Sequence, residues 1–174
     1  MTSDSTQLPP VGDGPAGTAA VDIADPARLL SRAASTWLHD ASASIASLIR
    51  APGEIRIRIV DDAAMAAAHE RFSGLPGTTD VLTFDLRESP ADPLDVDILI
   101  CIDEARRQAD RRGHRPEQEL LLYIVHGLLH CLGHDDHDPR AAAAMHAEED
   151  RLLESAGIGA TYSRPEAGPA RGPQ

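Results

Sequence analysis

The sequence predicts an α+β fold: a small mixed β-sheet packed with about five helices, with a metal site on a central buried helix and the turn after it. Three observations predict this. Residues 54–60 alternate strictly between apolar and charged side chains, as a half-buried strand does. Residues 119–132 form an apolar run long enough for a buried helix. Strands and helices follow one another without a regular βαβ rhythm.

The elements follow in order. Residues 20–23 (Ala-Val-Asp-Ile) suit a short first strand. From Pro26 to about Leu48, Leu29, Leu30, Ala33, Trp37, Ile45 and Leu48 recur at helical spacing, with Pro26 placed to open the helix. Glu54–Val60 is the alternating strand, and the arginines on its polar face are most simply solvated. Asp61 or Asp62 caps a helix through Ala64–His69. Residues 73–80, rich in Gly and Pro, form a loop. Val81–Leu86 and Val96–Ile102 are further strands, an arginine-rich helix covers about 103–113, and the apolar helix follows. Pro139 opens a last helix running to about Ser155. The two ends, residues 1–18 and 158–174, are rich in Gly, Pro, Ser and Ala and are expected to be disordered around a single domain of 19–157.

Composition narrows the function. Of 174 residues, 16 are basic, every one of them arginine, and 28 are acidic, for a net charge of −12. Such a balance argues against a general nucleic-acid coat protein, so any polyanion must be met locally. Cys101 and Cys131 both sit in apolar runs, which suits reduced core thiols in a cytosolic protein. No stretch approaches the roughly 20 apolar residues of a membrane span. The amino-terminal segment has neither cationic head nor apolar run, so no signal peptide is expected. No nucleotide-binding glycine loop, Ser-His-Asp set or Cys-His set stands out.

The chemistry concentrates in histidines. Five of the eight lie between 126 and 146. His126 and His130 are four apart, so on a helix they share one face. Gly133 breaks that helix, and His134-Asp-Asp-His-Asp138 brings further donors back toward it. Two imidazoles from a rigid helix and one donor from the following turn suit a zinc ion with an open fourth position. Either Asp136 or His137 fits as third ligand. His39 and His146 are expected at the surface. The metalloprotease pattern needs a glutamate directly after the first histidine, and here Gly127 stands there.

At these residues the sequence resembles the YbeY family, metal-dependent endoribonucleases of bacterial rRNA maturation. The family signature HGxLHLxGYDH is matched by His126-Gly-Leu-Leu-His-Cys-Leu-Gly-His-Asp-Asp136, with His137 next. A PTDVLSF segment is matched by Thr78-Thr-Asp-Val-Leu-Thr-Phe84, and a GDI-like strand by Val96-Asp97-Ile98. The family's GH and E are matched by Gly113-His114 and Glu119. A methionine nine positions past the third ligand is matched by Met145 when that ligand is Asp136. Two departures stand out: Asp136 replaces the family's third histidine, and Ser73 replaces an arginine thought to hold RNA, leaving Arg71 as the nearby substitute.

The resemblance implies one zinc per chain held by His126, His130 and Asp136 (or His137), with His126 and His130 catalytic through the metal and Arg71 binding substrate. It further implies a cytoplasmic enzyme cutting single-stranded ribosomal RNA at the 16S 3′ end and in ribosome quality control. Its partners would be rRNA and the small ribosomal subunit. A local arginine supply (Arg56, Arg58, Arg106, Arg107, Arg111, Arg112 and Arg115) would meet the backbone. The alternatives are a peptidase-like zinc hydrolase and a non-catalytic assembly factor whose metal is structural.

Overall fold

The computed structural model describes residues 17–159. The tails expected to be disordered lie outside these residues, apart from 17, 18, 158 and 159. The described chain runs β1 (Ala20–Ala24), α1 (Arg32–Ile49), β2 (Gly53–Val60), α2 (Asp62–Ser73), β3 (Val81–Asp85), β4 (Leu94–Cys101), α3 (Ile102–Arg112), α4 (Pro116–Cys131) and α5 (Pro139–Ser155). The sheet order is β1-β2-β4-β3. The first two pairings are parallel and β3 runs antiparallel to β4, so the sheet is mixed and the fold is α+β.

Alternation in β2 buries Ile55, Ile57 and Ile59, which lie in register with Val96, Ile98 and Ile100 of β4. Leu38 and Ile45 of α1 and a broad apolar surface of α4 join them in one cluster. Each fully buried aliphatic side chain there contributes about 1.5–3 kcal/mol. Helix α4 has buried residues around most of its circumference, as expected of a central helix. A smaller cluster of Val60, Met65 and Cys101 packs α2 against β2 and β4.

Several boundaries differ from the expectation for physical reasons. Helix α1 begins at Arg32 and not at Pro26, because the Asp25 carboxylate accepts the Leu29 and Leu30 amides at 2.8 and 2.9 Å and holds a turn. Ser31 then caps the helix by accepting from Ala34 N. Asp61 is the cap of α2, while Asp62 pairs with Arg107. Helix α4 starts at Pro116, three residues before the apolar run, with the Gln118 side chain accepting the Arg115 amide. Of the two arginines expected to be solvated on β2, Arg58 is exposed, whereas Arg56 is committed, bridging Glu54, Asp95 and Asp97. Cys101 is fully buried and Cys131 half-buried; both are free thiols. Among the described residues no helix is long and apolar enough to cross a membrane.

Candidate metal centre

Helix α4 presents His126 and His130 one turn apart, and its placement depends on Gly127. A Cβ there would lie 2.3 Å from Thr83 Oγ1, so only glycine lets α4 approach β3 this closely. Gly133, at φ 90°, ends the helix and turns the chain back. The returning segment carries Asp136, whose Oδ2 lies 3.9 Å from His126 Nε2 and 3.8 Å from His130 Nε2. The two Nε2 atoms are 3.1 Å apart. A triangle with these sides has a circumradius of about 2.1 Å, so one point lies a normal zinc–ligand bond length from all three atoms.

The hydrogen bonds behind the ligands fix their tautomers. His126 Nδ1 donates to Glu149 Oε1 at 2.8 Å, and His130 Nδ1 donates to the His134 carbonyl at 3.2 Å. A carboxylate and a carbonyl only accept, so both neutral imidazoles carry their lone pairs on Nε2. Two lone pairs facing each other at this separation repel unless a cation lies between them. Burial pushes the His126 pKa down, but Glu149, with Asp80 and Asp136, outweighs burial and raises it above the ordinary histidine value. This corner of the molecule therefore favours positive charge. The side chains of His126, His130 and Asp136 are 25, 33 and 37 % exposed, which leaves a solvent-facing side for a fourth ligand.

His137 does not join this group. Its side chain is 85 % exposed and its Nδ1 pairs with Asp135. The ligand atoms of His126, His130 and Asp136 lie within 4.8 Å of one another; a second such group, on the exposed turn, comprises Asp135, Asp136 and His137.

Glu149 and His146 were not legible as site residues. Glu149 is buried on α5 and also accepts from His146 Nδ1 at 2.9 Å. His146, expected at the surface, is half-buried and lines a cleft with His126 and Glu149. The available signal was spacing: Met145, Glu149, Leu152 and Leu153 form one buried stripe, which places a carboxylate on a core-facing position.

Arg71 is exposed in the last turn of α2, with its guanidinium 5.2 Å from the Phe72 ring centroid. Phe72 is itself exposed and meets Phe84 edge-on. Most of the expected arginine supply is held within the molecule. Arg106 pairs with Asp103, Arg107 with Asp62 and Glu104, and Arg112 with Glu119, while Arg115 stacks on Trp37. Neither cysteine is set up as a nucleophile: burial raises both thiols, Cys131 to about 11.

The profile of the family described as Endoribonuclease YbeY matches residues 21–157. An Endoribonuclease YbeY of Synechococcus sp. (strain RCC307) is 38% identical over 129 residues, covering 70% of this chain and 81% of the relative. One of Cutibacterium acnes is 39% identical over 113 residues, covering 60% of this chain and 73% of the relative. The solution structure of TM1509 from Thermotoga maritima matches the fold with a TM-score of 0.54 at 18% identity, over 88% of this chain and all of that one. With the family profile spanning nearly all the described residues, the chain belongs to the YbeY endoribonuclease family.

Proposed function

We propose that this chain is a zinc-dependent endoribonuclease, one zinc per chain, acting on single-stranded ribosomal RNA. In this reading a single domain of residues 19–157 works in the cytoplasm on the small ribosomal subunit. It matures the 16S 3′ end, serves ribosome quality control and needs no nucleotide cofactor. The observation that carries the reading is the pair of Nε2 lone pairs 3.1 Å apart with Asp136 beside them.

A zinc ion held by His126, His130 and Asp136 would supply Lewis acidity toward a phosphodiester oxygen and a water acidic enough to lose a proton near neutral pH. The chain's own residues prepare that chemistry. Glu149 and the His134 carbonyl fix both imidazoles as Nε2 donors to the metal. Arg71 offers an exposed cation for a phosphate, and the Phe72 ring beneath it offers a face on which an unpaired base can stack.

Two other readings find less support. A peptidase-like mechanism needs a base at position 127, where a side chain would meet Thr83. A closed structural site needs His137, which points away and pairs with Asp135. The test is cleavage of an unpaired RNA carrying the 16S 3′ end by the zinc-loaded chain. We expect His126→Ala to abolish cutting while the unfolding transition is retained. Intact RNA after incubation with the zinc-loaded wild-type chain would overturn the proposal.

A further inference from the structure

We propose that the cleft beside the metal centre is a pocket for an unpaired nucleobase rich in N–H donors, guanine above all. The proposal rests on the endoribonuclease reading and names what that site recognises. The cleft has a volume of about 390 Å³ and is bounded on one side by His126, His146 and Glu149. It therefore opens on the Nδ1 side of His126, while the three candidate metal ligands converge on the Nε2 side.

Two buried polar atoms on residues that line this cleft lack a partner. They are Oε2 of Glu119 and the hydroxyl of Tyr123, on residues that are 0 and 5 % exposed. Glu119 is held rigidly, because its other oxygen accepts from His114 Nε2 at 2.6 Å and from Arg112 Nη1 at 3.1 Å. Buried polar groups left in this state are unfavourable, and such a pair at a cleft is a recognition element waiting for a ligand.

The lining decides the ligand's chemistry. Four acidic residues, Asp80, Glu104, Glu119 and Glu149, line the cleft against one arginine, Arg112. Such an excess of negative charge rejects a phosphate. A metal ion fits poorly as well, because neither convergent donor group among the described residues includes Glu104 or Glu119. What remains of an RNA strand is the base. Guanine presents N1–H and N2–H side by side, which suits two acceptors, Glu119 Oε2 and the Tyr123 hydroxyl, carried one helical turn apart on α4. Adenine and cytosine offer an amino group, while uracil offers one N–H flanked by carbonyls that would face carboxylates. Unpaired bases are commonly read on this edge.

The experiment is an NMR titration of the zinc-loaded full chain with guanosine and, separately, uridine. Guanosine should bind saturably, with shifts centred on Gln108, Leu122 and Tyr123, and uridine should bind at least about tenfold more weakly. Tyr123→Phe keeps the packed ring and removes the hydroxyl; it should weaken guanosine about fivefold. Absence of saturable guanosine binding, equal affinity for the two nucleosides, or an unchanged Tyr123→Phe affinity would overturn the pocket. Cleavage of single-stranded oligouridine with and without one guanosine separates this idea from the one beneath it. Equal cutting of both strands overturns the pocket and leaves the nuclease standing. Guanosine binding without cutting of either strand sustains the pocket and overturns the nuclease.

Discussion

Glu149 holds two imidazoles at once from a buried position, so its loss should be felt at the metal before it is felt in the fold. Glu149→Gln leaves one amide oxygen to serve both His126 and His146 and supplies N–H donors where a second acceptor is needed. Zinc affinity, measured by competition with a chelator, should fall about 10–100-fold. A second prediction separates the two candidate third ligands. Asp136→Ala should weaken zinc strongly, whereas His137→Ala should change the affinity by less than about twofold, because an exposed side chain paired with Asp135 contributes little to a site it does not face. The helix spacing of His126 and His130, and the glycine after them, were readable because they are local. Glu149 was not, because it reaches His126 across 23 residues of sequence and through the packing of α5 on α4. His146 was misread for the same reason: a histidine in an alanine-rich helix looks solvated until its neighbouring helix is known.

Helix α4 is positioned at Gly127 and again at its last turn. At Gly127 it touches β3, and Gly127→Ala places a methyl group against Thr83 Oγ1. That overpacking should cost about 1–3 kcal/mol in urea unfolding, with part of the loss recovered by Thr83→Ala. At its end, the nearly buried Arg87 holds the Asp85 carboxylate bidentately and donates to the Cys131 carbonyl, tying the β3–β4 connection to the last turn before the metal segment. No sequence signal marks Arg87, because an arginine in a connecting segment reads as solvated.

A different clip joins α2 to α3. The Arg107 guanidinium beside Asp62 outweighs burial and lowers that carboxyl from 3.8 to about 2. Its contribution to stability is therefore present above the unfolded value of 3.8 and lost as pH falls through about 2. The Asp62→Asn variant should be somewhat less stable at neutral pH and should lose less stability than wild type on acidification across that window, as followed by thermal unfolding. The strands were legible from alternation and the central helix from its apolar run. The start of α1 was not, because Asp25 diverts the very amides that Pro26 was expected to release into the helix.

Among the described residues Arg56, Arg87, Arg106, Arg107, Arg112 and Arg151 pair with the chain's own carboxylates, and with a net charge of −12 over the full sequence the surface field does not draw in a polyanion. Affinity for single-stranded RNA should therefore depend weakly on salt. With about three phosphates neutralised, the log–log slope is about −2. A much steeper slope in filter binding would mean that the internal ion pairs open on contact with RNA. In the proposed reading an RNA strand meets complementary groups in one corner, at the candidate metal ligands and the cleft beside them, and not through the surface field.

Zinc-edge X-ray absorption on the purified chain reads out whether the proposed metal centre is an open site with three protein ligands. The prediction is one zinc per chain with two imidazole nitrogens, and the remaining positions taken by oxygens of Asp136 and solvent, at about 2.0–2.2 Å. A third imidazole in the coordination shell, or a chain that holds no stoichiometric zinc, would contradict it.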